Sequence, residues 1–344
     1  MKAYRGIDYT DIYKNLNNNR NDNHSMGSSL NQYINIKLPM FIFDDNINEI
    51  YIIGKYDRNC IISNKEKTDK VFNYERPTYK IDDNKAYIFC YPGVDYVYHY
   101  YCMVNSYLKI LNKVKMVIPV YPTEEQIRNE IGTSNLNMIL SVETVIMGYV
   151  AGFDYLSNDS NWIGDKDFMW KRIGNDKLLL GCKHSYWGDI IYYVVEYLAN
   201  KGVKNVIYSG KLGTLNKEYV PNETIATGNK SIFRDGTIIT WNNMFSCKSE
   251  ENIKDGVHAT LPSIFDETNG WVNENKDKVD FVDPEIGFVA KSANDNNINF
   301  SYMHIISDNL SKKFNEDLSN ERKADVLCKR KKLIKQIGNN IMSI

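Results

Sequence analysis

Two carboxylates, a cation and an imidazole stand in segments of the kind that close β-strands. Glu285 lies in DPEIG (283–287), Asp308 in SDN (307–309), Lys211 in SGKLGT (209–214) and His184 in HSYWGD (184–189). Each segment is polar or glycine-rich and follows an apolar run. In parallel α/β sheets ligands bind beyond the carboxyl ends of the strands, so loops of this kind are where chemistry is sought. Read by type alone, each side chain has a structural use beside a functional one. Asp308 after a strand also suits a helix N-cap, and Glu285 ahead of a helical stretch suits the positive end of the helix dipole. Lys211 can meet a phosphate as a point charge or lie solvated, and His184 can touch a substrate or be incidental.

The elements that must position these residues are legible as periodic runs. EIYIIGKYDR, from Glu49, reads as a short buried strand feeding a loop, and KAYIFCYPG as another. YVYHYYCMVNSYLKILNKV has the spacing of a buried helix, and KMVIPVYP reads as a strand closed by proline. Strand, helix and strand in that order imply a βαβ crossover and a parallel sheet. The same grammar returns in KLLLGCKHSYWGD, IIYYVVEYLANKG and VKNVIYSGKLG. A distant internal duplication fits this pattern, as do two unrelated units of similar composition. Further on, YVPNETIATGNKSIF suggests a strand, KVDFVDPEIGFVAKSANDNN a strand turning into a helix, and FSYMHIISDNL another strand. NERKADVLCKRKKLIKQIG reads as a closing amphipathic helix.

Composition sets the outer limits. With 43% hydrophobic and 25% charged residues in 344, the chain has the balance of a folded globular protein of one large or two smaller units. Its formal charge of -1 gives no global field toward nucleic acid or an anionic membrane, so neither is expected as a partner. The cysteines at 60, 90, 102, 182, 247 and 328 form no C-x-x-C pair and are expected as reduced structural thiols. No secretory signal or apolar stretch of about 20 residues is apparent, so a soluble cytoplasmic protein is expected. Residues from about 14 to 32 are polar and asparagine-rich and read as a lead-in or long loop. A boundary near residue 135 divides an N-terminal region, 1–135, from a C-terminal domain, 136–344.

Taken in order, the C-terminal motifs resemble the purine nucleoside phosphorylase and nucleosidase superfamily. That family's V-K-x-I-I-x-x-G-S-x-G is echoed by VKNVIYSGKLG, its V-E-M-E-A-x-G by Val282-Asp283-Pro284-Glu285-Ile286-Gly287, and its Ser-Asp strand end by Ile306-Ser307-Asp308. Glu321-Arg322 stands near the place of a Glu-Arg pair in the hexameric branch. The resemblance covers about residues 166 to 330. It implies an α/β fold with a phosphorylase-like mixed sheet flanked by helices, joined to an additional N-terminal α/β region. It implies, too, a metal-independent enzyme without a cofactor that cleaves the N-glycosidic bond of a purine nucleoside or nucleotide. Asp308 would be the general acid toward a purine ring nitrogen, with Arg322 tuning it. Glu285 would hold two ribose hydroxyls and favour an oxocarbenium-like transition state. Phe265 lies where the family places an aromatic that stacks on the base, and Gly210 and Lys211 sit in the glycine loop.

Departures are as informative. Tyr208 stands where phosphorolytic members carry Arg before the glycine loop, and Lys211 where a phosphate-binding Ser follows the first glycine. These changes favour hydrolysis over phosphorolysis and leave Lys211 as a candidate for a substrate phosphate. Pro284 replaces the family's usual Met and removes a backbone donor. Gly54-Lys55-Tyr56-Asp57-Arg58 faintly resembles the family's first loop, which makes Arg58 an outside candidate for anion binding. LKILNKVKMVIPVYPTEEQIR instead resembles a helix and strand of ribose-phosphate pyrophosphokinases, without a pyrophosphate loop. Relatives complete their sites across subunits, so a homo-oligomer is expected. The rival to an enzyme is a catalytically silent member of the same fold that binds a nucleotide for sensing.

Overall fold

The computed structural model describes residues 33–34, 37–62, 70–245, 250–314 and 324–344. The lead-in at about 14 to 32, Cys247, Glu321 and Arg322 lie outside the described residues. The fold is α/β, with two mixed sheets flanked by helices.

The first sheet holds β1 (Glu49–Ile53), β2 (Ile61–Ile62), β3 (Thr78–Asp82) and β4 (Lys85–Phe89). Helix α1 (Val94–Ile110) then crosses to β5 (Met116–Val120). The strand order is β2-β3-β4-β1-β5, with β1 parallel to both β4 and β5 and β3 antiparallel to β4. Helix α2 (Glu124–Gly132) follows, started by a capping box in which Thr123 and Gln126 bond each other's backbone N–H.

The second sheet begins with β6 (Thr144–Gly148), β7 (Phe168–Ile173), β8 (Lys177–Cys182), helix α3 (Ile190–Asn200) and β9 (Asn205–Thr214). It goes on through β10 (Ile225–Phe233), β11 (Ile238–Thr240), β12 (Ile253–Thr260), α4 (Asn269–Asn275) and β13 (Phe281–Asp283). Helix α5 (Ile286–Asp295), β14 (Asn299–Asn309) and α6 (Ala324–Met342) complete it. Its order is β11-β10-β12-β13-β9-β6-β8-β7, with β14 joined to β10 and β9.

The first five elements of this sheet repeat the path of the first one. Strand β6 is parallel to β8 and β9 and lies between them, and β7 pairs antiparallel with β8, as β1 lies between β4 and β5 with β3 beside β4. The details match as well. The N–H groups of Asn48 and Glu49 bond the carbonyl of Asn84 at 2.8 and 3.4 Å, and those of Glu143 and Thr144 bond that of Asp176 at 3.1 and 2.9 Å. The β3–β4 hairpin turns on Asp83 at φ 51° and the β7–β8 hairpin on Gly174 at φ 61°. Both crossover helices end on a left-handed residue, Asn112 (φ 51°) and Gly202 (φ 90°), as helix C-termini favour.

One continuous apolar core joins the two sheets. It takes Ile50, Ile52, Ile88 and Val97 from the first unit and Val145, Leu178, Val194 and Tyr302 from the second. Residues of alternate parity in β6, β9 and β14, namely Ile146, Ile207 and Ile305, face the other way and pack with Leu333, Ile337 and Ile341 of α6. No helix among the described residues is long and apolar enough to cross a membrane.

Two segments expected as loops are strand. SGKLGT continues β9 and SDN continues β14, because these two strands pair in parallel from Asn205–Asn299 to Thr214–Asn309 and the ladder satisfies the backbone beyond the apolar run. Polarity marks a loop only where hydrogen bonds are not supplied by a neighbouring strand.

Candidate active site

The centre of the site is the turn between β13 and α5. Asp283, the last residue of β13, accepts hydrogen bonds at Oδ1 from the backbone N–H groups of Glu285 and Ile286, both at 2.9 Å. It thereby caps α5, where Pro284 supplies no donor of its own. His258 on β12 puts Nε2 3.0 Å from the same oxygen, close enough for charge attraction but misaligned for a hydrogen bond, and His304 on β14 puts Nε2 3.6 Å from Oδ2. All three side chains are buried. Burial would raise the Asp283 carboxyl, yet the two imidazoles and the Ile286 N–H outweigh it and hold it below the usual carboxylate range.

The imidazoles are themselves fixed. His258 Nδ1 is 3.0 Å from Ser231 Oγ and 3.4 Å from Thr260 Oγ1, and Thr260 Oγ1 accepts from the Gly287 N–H at 3.0 Å. His304 fills the space beside Gly210, where a Cβ would stand 2.7 Å from its Nε2. That close approach explains the glycine. Burial, with His258 adding to it, lowers His304 to about 4 against the opposing pull of Asp283, so it is neutral near pH 7.

Glu285 follows at the N-cap of α5 and behaves oppositely. Burial first, then the negative charges of Asp283 and Asp95, push its carboxyl well above the usual range, against a smaller opposing pull from the Gly188 backbone N–H. The proton affinities of two carboxyls two residues apart are thus shifted in opposite directions, the arrangement that separates acid from base roles in catalytic sites.

Gly188 belongs to the loop between β8 and α3, which meets the N-terminus of α1. Asp189, fully buried, accepts from the Val94 and Asp95 N–H groups at 3.1 and 2.9 Å and so caps α1 from the other unit. Trp187, partly exposed, stacks on His99 of α1 with centroids 4.0 Å apart and donates Nε1 to the Pro262 carbonyl at 2.8 Å. His99 Nδ1 is 2.8 Å from Ser263 Oγ, and its ring lies 5.8 Å from that of Phe265, in the one-turn helix Ile264–Asp266. Tyr98 donates to Asp266 Oδ1 at 2.9 Å and Arg234 to the same oxygen at 2.7 Å. Glu285, Trp187 and Phe265 are therefore linked through α1.

Other candidates fall elsewhere. Asp308 lies at the end of β14 opposite Gly213, and a Cβ on Gly213 would stand 3.0 Å from its Oδ2 and 3.2 Å from Val282 Cγ1. Val282 and Asp283 leave β13 on opposite faces, so Asp308 is on the Val282 side and the histidine cluster on the other. Lys211, two residues before Gly213, shares the Asp308 side of β9. Asp308 accepts from Ser307 Oγ at 2.7 Å, and its charge acts on Arg330 of α6, whose Nε donates to Asn222 at 2.6 Å.

Arg58 and His184 do come together, in a second cluster between the sheets. Arg58 and His184 both bond Asp167 Oδ1, the latter at 3.0 Å, and His184 Nε2 also lies 3.2 Å from Glu75. The His184 ring stacks on Tyr91 at 4.1 Å. This cluster joins the loop after β1 to the end of β8.

Sequence reasoning missed Asp283, His258, His304 and Trp187. Strand β12 carries few apolar residues in IKDGVHAT, so His258 had no element to sit on. A usable signal was scarcity. The chain has five histidines, and the four that are described are all buried. No group of three or more His, Cys, Asp and Glu among the described residues is arranged to hold a metal ion. A surface cleft of about 400 Å3 lined by Glu250, Lys332, Lys335 and residues near them includes none of the side chains above.

Neither a family model nor a curated protein sequence matches the chain. Solved structures do. A mutant futalosine hydrolase of Helicobacter pylori is 15% identical over 58% of this chain and 100% of its own, with a TM-score of 0.47. The 5'-methylthioadenosine/S-adenosyl homocysteine nucleosidase of Campylobacter jejuni is 14% identical over 59% of this chain and 100% of its own, with a TM-score of 0.47. The corresponding nucleosidase of Neisseria meningitidis, in complex with methylthio-immucillin-A, is 11% identical over 59% and 100%, with a TM-score of 0.46.

Proposed function

We propose that the chain hydrolyses the N-glycosidic bond of a purine nucleoside or nucleotide, with Glu285 at the ribose and Asp308 at the base. The observation that carries this reading is the Asp283–Glu285 pair. A carboxyl whose proton affinity is raised by burial and by a charged neighbour gains most from ligand hydroxyls that bond its charged form, and that gain grows as the sugar takes on positive charge. Asp283, ionised and rigidly held, adds a fixed negative charge two residues away.

In this reaction water adds its oxygen to C1′ as the bond to the base breaks. The bonding pair leaves with the base, Asp308 delivers a proton to a ring nitrogen, and the proton released by the water restores Asp308 through solvent. Glu285 opens α5 directly after β13, and Asp308 closes β14 opposite Gly213, the β9 residue that also pairs with Val282 of β13, so both carboxyls stand at the end of the same strand. Trp187 and Phe265 offer partly exposed aromatic surface beside Glu285. Hydrolysis is favoured over phosphorolysis because Tyr208 and Lys211 replace the family's phosphate-binding pair.

The test is a panel of purine nucleosides and nucleotides incubated with the protein, with and without phosphate, and assayed for free base. Release without phosphate is expected. Release only with phosphate would make the enzyme a phosphorylase, and saturable binding without release would make it a silent nucleotide binder.

A further inference from the structure

The N-terminal unit retraces β6, β7, β8, α3 and β9 in strand order, hairpin turn and helix ending. Its contacts with the second unit are also reciprocal. The Cβ position of Gly93, before α1, meets the Asp189 carboxylate at 3.4 Å, while that of Gly188, before α3, meets Asp95. Each helix start thus receives an aspartate from the other helix start, as expected for two copies of one unit packed about an approximate two-fold axis.

We infer that the N-terminal unit is a repeat that completes the Glu285 site from within the chain, with α1 acting as its second wall. The inference rests on the reading of Glu285 as the sugar-binding residue. Two loops flank that residue, the one after β8 and the one after β12, and α1 touches both. Asp95 packs on Gly188, whose N–H lies near enough to act on the Glu285 carboxyl. His99 stacks on Trp187 and reaches Ser263, and Tyr98 reaches Asp266. His99 is buried, with Nε2 3.0 Å from Tyr33 Oη, so it meets no ligand itself. It is a positioning residue that sets the planes of Trp187 and Phe265, the partly exposed rings available to a planar base. A second wall within the chain means that one chain holds one whole site and that no second copy has to close it.

The experiment uses the full chain and formycin A, a C-nucleoside analogue of adenosine whose carbon–carbon link to the sugar is not cleaved. Calorimetric titration is combined with sedimentation of the same samples. One formycin A per chain is expected at dilutions where only single chains sediment, with an affinity that does not change on dilution. His99→Ala should weaken binding about tenfold or more, as loss of base stacking does, and His99→Phe, which keeps a planar ring under Trp187, should recover most of it. If His99→Ala loses its native circular dichroism, Tyr98→Phe carries the same expectation of weaker binding. Binding confined to sedimenting dimers, or unchanged affinity in the folded His99 or Tyr98 variant, would overturn the inference. If Glu285→Gln abolishes binding while those variants leave it intact, this inference fails and the reading of Glu285 stands. If the wild-type protein binds no formycin A at millimolar concentration, both fall.

Discussion

Asp283 and Glu285, two residues apart, share one helix start, and their proton affinities are shifted in opposite directions. Asp283 is paired with two imidazoles and two backbone N–H groups, whereas Glu285 is half-buried beside that negative charge. For Glu285 the folded-state affinity for a proton exceeds the unfolded one. Its contribution to stability is therefore fully present below pH 4.5 and is lost as pH rises through its folded value. Glu285→Gln should flatten that alkaline-going loss in urea unfolding curves measured from pH 4.5 upward. An unchanged slope would mean that Glu285 is not held neutral.

His304 has the opposite sign. Buried neutral, with its affinity lowered from 6.5 to about 4, it contributes stability that is present above pH 6.5 and lost as pH falls through about 4. The full effect is on the order of 3 kcal/mol. His304→Gln should remove much of that acid-side slope whatever its effect on absolute stability, read by the same unfolding series from pH 7 to pH 4.

Gly210→Ala should destabilise the protein by about 1–3 kcal/mol, because the new methyl group would stand 2.7 Å from His304 Nε2 and must push the imidazole off Asp283. Denaturant midpoints check this. Gly236→Ala is a useful contrast, since nothing lies within 4 Å of its Cβ position and its φ of 84° makes any cost one of backbone strain alone.

Asp308→Asn should lower the rate of base release by about 10²- to 10⁴-fold while nucleoside binding changes much less. Single-turnover kinetics at saturating nucleoside separate the two effects. A full rate in this variant would move the proton donor elsewhere.

Much of this architecture is written in apolar periodicity. The runs around β8, β9 and β14 are strong because these strands are buried on both faces, whereas β1 and β4 bury alternate residues and β5 lies partly exposed, their apolar runs being legible all the same. The repeated strand, helix and strand grammar was visible as well, but it could not be told from shared composition until the order of the strands showed the same path twice. The site was legible only in part. Glu285 and Asp308 stand in motifs, whereas His258 and His304 are single residues inside strands, brought to Asp283 by pairings between strands far apart in sequence. Arg58 drew notice through a faint motif and His184 as a single histidine in a loop, and the structure gives both the same partner, Asp167. Nothing in local sequence encodes such long-range pairing.

The claim on which the account rests is that Glu285 meets the sugar hydroxyls. The most direct check compares a purine nucleoside with its 2′,3′-dideoxy analogue on wild-type and Glu285→Gln protein, by affinity at equilibrium. The wild type should prefer the full ribose by about 10-fold or more, and the variant should lose most of that preference while binding the dideoxy compound as before. Equal losses for both ligands, or a preference that survives the substitution, would contradict it.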